Sequence, residues 1–290
     1  MTAVAADLAN WYRANARDLP WRRSGVSPWG VLVSEVMLQQ TPVNRVLPYW
    51  RRWLARWAQP SDLARASPAD VIRAWGTLGY PRRGLRLRDC AVAIVDHHDG
   101  IVPAELTALR ELPGIGRYTA AAVACFAFGQ AVVVVDTNIA RVLGRVFDAQ
   151  ALPAPSLGAA DWARAAEVLP GDPAAAVVWN QATMELGALV CQARQPDCPV
   201  CPLGGDCAWR AQDYPGDRYA GRRQPQAYQG TDRQARGRVL ALLRQADGET
   251  VPVAAIVAGL PRIDQAERAM ATLVADGLAV RVGAGLRLPD

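Results

Sequence analysis

The chain contains no lysine, so all 32 basic side chains among its 290 residues are arginine. That absence excludes any mechanism built on a lysine amine and leaves the N-terminal amine as the one Schiff-base former. No apolar run approaches the roughly 20 residues that a membrane span needs. The opening stretch, MTAVAADLANWYRANARDLPW, has neither a charged leader nor a signal-peptide core, so the expected location is the cytoplasm. Apolar residues are plentiful, at 51%, enough to bury a large domain and a small one. A net charge of +5 and a pI near 9.1 suit a polyanionic partner without requiring one.

Helical patterning dominates to about residue 213. Ser27-Pro28 is a start signal for a helix through Val31, Val33, Val36 and Leu38, and Thr41-Pro42 repeats it before Val43, Val46, Trp50 and Trp53. Further helices are predicted over 68 to 76, 84 to 96, 104 to 110, 117 to 128, 137 to 146, 159 to 168 and 173 to 190. The run Ala131 to Val135 is too short and isolated to imply a sheet. Residues 214 to 231, rich in Gly, Pro, Arg and Gln, read as a linker. Beyond it, apolar spacing gives three short helices, and Val280, Val282, a Gly-Ala-Gly turn, Leu286 and Leu288 give a hairpin. This predicts a winged-helix-like α+β module over 232 to 290, suited either to DNA or to packing against a partner domain.

Four of the six cysteines fall within 17 residues, as Cys191-x6-Cys198-x2-Cys201-x5-Cys207. Four thiolates so spaced can enclose one metal centre, with zinc and an iron-sulfur cluster as the rivals; zinc modules usually carry two separated CxxC pairs, and only one is present. Cys90 and Cys125 lie on apolar helix faces and read as core residues. A second motif, Leu112-Pro113-Gly114-Ile115-Gly116-Arg117-Tyr118, is a Gly-rich turn entering a helix. It reads either as an ordinary tight turn or as a phosphate site built from free N–H groups.

Two carboxylates stand out. Glu35 sits inside the apolar run VLVSEVML, where desolvation raises a carboxyl pKa and makes a general acid. Asp136 follows an apolar run and precedes a helix, so it is a candidate to stabilise an oxocarbenium-like sugar, an N-cap, or both. An acid kept protonated and an anion kept ionised are what N-glycosidic hydrolysis needs. Arg82, Arg83, Arg86 and Arg88 are either phosphate ligands or a solvated face.

In order along the chain, Pro20-Trp21-Arg22, SEVMLQQT from Ser34 to Thr41, Leu78-Gly79-Tyr80, the Gly-rich turn, Val135-Asp136-Thr137-Asn138, Asn180-Gln181-Ala182 and the cysteine loop resemble adenine DNA glycosylases of the MutY type, in the helix-hairpin-helix superfamily of endonuclease III. The resemblance covers about residues 8 to 210. It implies an all-α, two-lobed glycosylase, with a six-helix barrel at about 25–133 and a cluster lobe at about 1–24 plus 134–213. A [4Fe-4S] cluster on Cys191, Cys198, Cys201 and Cys207 is also implied. Glu35 would protonate adenine N7, Asp136 would stabilise the sugar cation, and Asn138 would support it. Trp21, Arg22 and Gln181 would surround the flipped base, Thr41 would also bind substrate, Gln40 and Tyr80 would wedge beside the opposing base, and Leu112, Gly114 and Gly116 would bind phosphate. Tyr118 stands where lyase-competent relatives carry a catalytic lysine, and either assists catalysis or packs. The expected enzyme is a monomer that excises adenine opposite 8-oxoguanine or guanine from double-stranded DNA without lyase activity. It would be nucleoid-associated when bound.

The chain also departs from that pattern. No histidine follows His98, and the last 60 or so residues lack the Nudix-like Ser/His loop that many members use to recognise 8-oxoguanine, while Pro81 replaces a second tyrosine after Leu78-Gly79-Tyr80. Rival readings are a thymine or uracil mismatch glycosylase and a non-catalytic iron-sulfur DNA-binding protein. Against the latter, a binding module has no use for Glu35 and Asp136.

Overall fold

A computed structural model describes residues 2–222 and 228–290; part of the expected linker, residues 223–227, lies outside the described residues. Helices α1 (Thr2–Asn15), α2 (Pro28–Leu38), α3 (Val43–Arg56), α4 (Pro60–Ala64), α5 (Pro68–Trp75) and α6 (Arg82–His97) come first. They are followed by α7 (Leu106–Glu111), α8 (Arg117–Phe128), α9 (Thr137–Asp148), α10 (Ala159–Val168), α11 (Pro173–Leu189) and α12 (Ala208–Ala211). The C-terminal segment adds α13 (Asp232–Gln245), β1 (Val251–Pro252), α14 (Val253–Ala258), α15 (Ile263–Ala275), β2 (Val280–Val282) and β3 (Gly285–Arg287). The fold is mainly helical, as the patterning predicts, and residues 131–135 form no strand.

The chain packs as two units. The first comprises residues 1–31, 104–110 and 116–224, and the second 32–103, 111–115 and 225–290. In the first, Val4 and Leu8 of α1, Ala121 and Cys125 of α8, Val142 and Val146 of α9, and Trp179 and Leu186 of α11 share one buried core. Cys125 is thus the core residue expected. The extended run after α8 is held by a side chain: Asn180 Nδ2 on α11 donates to the Val132 carbonyl at 3.0 Å. A half-buried backbone oxygen finds its partner there without a sheet.

In the second unit three indoles stack edge to face, Trp53 with Trp57 at 4.5 Å and with Trp75 at 5.5 Å. The sequence places the start of α3 one residue early: Pro42 is its N-cap and Thr41 does not cap it. The threonine hydroxyl instead donates to the carbonyls of Gln39 (3.2 Å) and Leu78 (3.4 Å), which joins two turns. The C-terminal module holds the three expected helices, but its sheet has three strands, ordered β1-β3-β2 and antiparallel, with Val251 opposite Leu286 and Arg281 opposite Leu286. Strand β1 escapes the sequence because two residues carry no alternation.

The module is not an appendage, because Ile72 of α5 belongs to the same apolar cluster as Val239, Leu243, Ile256, Met270 and Leu273. Leu273 is fully buried at 0% exposure, so Leu273→Ala is expected to cost about 2–5 kcal/mol. Far-UV melting of the full chain reads this, and a loss below about 1 kcal/mol would mean that the module does not depend on that core.

Candidate active site

In the first unit the site is built around the start of α9. Asp136 is its N-cap: Oδ1 accepts from the Ile139 amide at 2.6 Å and Oδ2 from Asn138 Nδ2 at 2.8 Å. Both carboxylate oxygens are therefore engaged, and the aspartate is the N-cap that the sequence offered as one of its roles. Desolvation pushes the Asp136 pKa above the ordinary carboxyl value, opposed by those hydrogen bonds and by the positive charge of Arg141. Asn138, expected beside the aspartate, is placed there, and its Oδ1 accepts from Arg141 Nη2 at 2.9 Å.

Arg141 is a residue that the sequence reading missed. Buried to 7% exposure, it donates to the carbonyls of Gly187 (2.6 Å) and Cys191 (2.7 Å) as well. The close approach of α9 to α11 needs a glycine, since a Cβ on Gly187 would lie 2.7 Å from Asn138 Cβ. One turn on, Arg145 donates to Cys191 Sγ at 3.2 Å and stacks on Trp209 at 4.2 Å.

All four loop cysteines, Cys191, Cys198, Cys201 and Cys207, line one hollow with Val142, Leu186 and Gly204. Among the described residues no group of three or more acidic, histidine or cysteine side chains is gathered closely enough for one metal ion. Burial pushes the Cys201 thiol up to about 11, and raises Cys191 against the nearby guanidiniums. The donor set fits a group bound by four thiolates: the lining is largely apolar, an arginine already faces one sulfur, and metal binding would take the protons.

A second charged cluster in this unit gathers Arg22 and Gln181. Tyr12 Oη donates to Gln181 Oε1 at 3.2 Å, and the Arg22 guanidinium lies 5.8 Å over the Tyr12 ring. Glu185, fully buried on α11, accepts from Arg17 Nε (2.7 Å) and Nη2 (2.9 Å) and from Arg22 Nη2 (2.9 Å). Burial alone would raise its pKa, but the two arginines hold it at about 2. Arg22 Nη1 is buried without a partner among the described residues. Trp21, at 6% exposure, precedes it in a short 3-10 turn. Tyr12, Arg17 and Glu185 escaped the sequence reading, although Glu185 carried the signal that marked Glu35, a lone acid in an apolar helix. Tyr118, half-buried as the second residue of α8, packs on the core of this unit, and Gly116 is the N-cap of that helix.

The second unit holds Glu35, buried at 6% exposure on α2, and the two turns named above. Gln40 and Tyr80 both adopt left-handed backbone, with φ of 54° and 48°, a conformation that costs a non-glycine residue free energy. Arg83 pins both turns. It donates to the carbonyls of Val36 (3.0 Å), Gln39 and Gly79 (3.0 Å) and to Thr41 Oγ1 (3.0 Å). Desolvation lowers its pKa to about 10. Within the arginine run, Arg83 serves the turns, Arg82 pairs with Asp276 at 3.1 Å, and Arg88 donates to the Ala66 carbonyl at 2.7 Å. Leu112 is buried, and Gly114 turns with φ +77°, where a Cβ would meet Arg86 Cβ at 3.0 Å.

Over 276 residues, 95% of this chain and 90% of the relative, the sequence is 50% identical to the adenine DNA glycosylase of Mycobacterium tuberculosis. The chain belongs to the adenine DNA glycosylase family. Its Mycolicibacterium smegmatis counterpart is 47% identical over 98% of this chain and 95% of its own length. Residues 33–161 match the HhH-GPD superfamily of base excision DNA repair proteins. The solved structure of a thermostable thymine-DNA glycosylase superposes with a TM-score of 0.64 at 25% identity, covering 72% of this chain and 95% of that one. This glycosylase of base excision repair thus shares its fold with enzymes named for a different base.

The raised pKa of Asp136 has a signed consequence. Its folded value lies above the unfolded value of about 3.9, so the folded state binds the proton more tightly. Stability is then lost as pH rises from about 4 through the folded pKa. Asp136→Asn keeps a capping side chain and removes that loss. The melting temperature of the variant minus that of the parent should grow as pH rises and then level off. A difference that shrinks with rising pH would show that the folded site favours the carboxylate.

Proposed function

We propose that this glycosylase hydrolyses the N-glycosidic bond of adenine mispaired with 8-oxoguanine or guanine in double-stranded DNA, acting as a monofunctional enzyme. The observation that carries the proposal is half-identity to an adenine DNA glycosylase along 95% of the chain. The local chemistry of the named residues supports it. Glu35, desolvated on α2, protonates adenine N7, which turns a poor leaving group into a neutral one. As the bond from C1′ to N9 breaks, its electron pair leaves with the base. Asp136, held by Ile139 and Asn138, stabilises the positive charge that develops on the sugar; water then adds to C1′ and loses a proton, which restores the Glu35 carboxyl.

Gln181 and Arg22, with Trp21 and Thr41, select the extruded base. A carboxamide matches the donor and acceptor on the adenine N6 and N7 edge. The Tyr12 hydroxyl donates to Gln181 Oε1, which fixes the direction of the carboxamide. Thr41 acts at one remove, since its hydroxyl is committed to the two turns. Gln40 and Tyr80 wedge beside the opposing base, and the turn Leu112, Gly114 and Gly116 holds a phosphate. Tyr118 assists near the sugar, and without any lysine no side-chain Schiff base forms, so the product is an intact abasic strand.

Cys191, Cys198, Cys201 and Cys207 would hold a [4Fe-4S] cluster, which when bound cross-links the loop through four thiolates. Arg145, donating to Cys191 Sγ, orients that sulfur and favours its anion. The purified chain is expected to contain about four iron and four sulfide per molecule, measured colorimetrically. Stoichiometric zinc without iron would reject the cluster.

Single-turnover assays should release adenine from A:8-oxoguanine and A:G duplexes, with strand scission only after alkali, and Glu35→Gln should abolish release. Activity confined to T:G or U:G would overturn the choice of base, and scission before alkali would overturn the monofunctional claim.

A further inference from the structure

The second unit contains a groove of about 1230 Å³, larger than the roughly 300–1,000 Å³ of a small-molecule pocket. Residues 76–86 form one wall and α13 of the C-terminal module the other. Among the described residues, eight arginines and a single acid, Asp276, line it. That local excess is greater than the +5 of the entire chain, so the rest of the molecule is close to neutral or acidic and the positive field is concentrated here.

The arginines are not cancelled by partners. Arg82 and Arg236 share Asp276, at 3.1 and 2.5 Å, so one carboxylate answers two cations. Arg45 and Arg244 donate to the carbonyls of Thr77 and Gly76, bonds that orient a guanidinium and leave its charge intact. Arg86 and Arg238 are exposed and have no hydrogen bond or ion pair among the described residues. Two aromatics share the groove, Tyr80 at 43% exposure and Tyr228 at 54%. Arg233 of α13 donates to the Tyr80 hydroxyl and lies 4.7 Å over its ring, so the module touches the side chain assigned to the wedge. A cationic track with exposed rings beside it is the combination that binds a nucleic acid strand, the guanidiniums on phosphates and the rings on bases.

We infer that this groove takes the sugar-phosphate backbone of the DNA strand carrying the base opposite the excised one, which makes residues 232–290 a clamp on that strand. Gln40 and Tyr80 line the same groove, and the choice of strand rests on reading them as the wedge beside the opposing base. The module then contributes affinity through phosphates and needs no Ser/His loop to do so.

Fluorescence anisotropy of the full chain with labelled A:8-oxoguanine duplexes tests this in two ways. The double variant Arg86→Ala/Arg238→Ala should bind about tenfold more weakly, and the slope of log K against log salt should fall by about 0.9 for each phosphate no longer neutralised. Lysine at both positions should restore most of the slope. Independently, with the parent chain, neutral methylphosphonates near the 8-oxoguanine should weaken binding, while the same substitution on the adenine strand at matched positions should weaken it less. Equal affinity and slope in parent and double variant, or a stronger effect on the adenine strand, overturns the inference. If the parent chain binds as described yet releases no adenine, the fault lies with the proposed function and not with the groove.

Discussion

The guanidinium of Arg141 ties the first unit together at the place where its chemistry is read. From one buried position it reaches Asn138 Oδ1, the Gly187 carbonyl and the Cys191 carbonyl. The cap that carries Asp136, the end of α11 and the first cysteine of the loop therefore share one donor. A planar fork with fixed donor directions can satisfy three such acceptors, whereas an ammonium on a flexible stem would not hold them in register. Arg145 repeats the device one turn later on the sulfur of the same cysteine. The cysteine loop and the proposed sugar-facing carboxylate are thus mechanically linked, and a group bound by the four thiolates would stiffen Asp136 without touching substrate.

Two acids of the first unit show how neighbours decide between burial and charge. Asp136 and Glu185 are both desolvated, yet the pKa of Asp136 is raised while that of Glu185 is held at about 2. The difference is the partner set. Glu185 takes direct, charge-assisted bonds from Arg17 and Arg22, whereas Asp136 takes an amide N–H and a neutral carboxamide, with Arg141 acting through Asn138. The carboxylate proposed to answer a transient cation gains from this arrangement, because a fixed guanidinium at contact distance would already have satisfied it. Glu185, by contrast, is fully paired and fixes the direction of Arg22.

Helix positions were legible because apolar spacing recurs along them, with Ser27-Pro28 marking one start: α8 and α10 begin and end where the pattern places them. The carboxylates and cysteines were legible because each is chemically out of place, an acid in an apolar run or four thiols in one short loop. What stayed hidden were contacts between segments distant in sequence. Nothing in the local spacing of Arg141 or Arg83 distinguishes a buried strut from a surface charge, since arginine supplies every cation in this chain. Tyr12 and Arg17 acquire meaning only when α11 brings Gln181 and Glu185 beside them, some 168 residues later. Strand β1 was missed for a related reason, as it exists through pairing with β3 and not through its own two residues.

The lysine-free composition has a different consequence in the second unit. Left-handed backbone at Gln40 and at Tyr80 costs each residue on the order of 1–3 kcal/mol, and the fold must hold both conformations open. Arg83 does so by donating to carbonyls on either side, with Thr41 bridging the same turns. Because its guanidinium is spent inward, it adds positive field to the groove without being a phosphate ligand, and the exposed work falls to Arg86 and to α13. The strained turns and the arginine-rich helix are then two halves of one device. On the proposed reading the turns present Gln40 and Tyr80 to the duplex, and the arginines of the C-terminal module supply attraction to it.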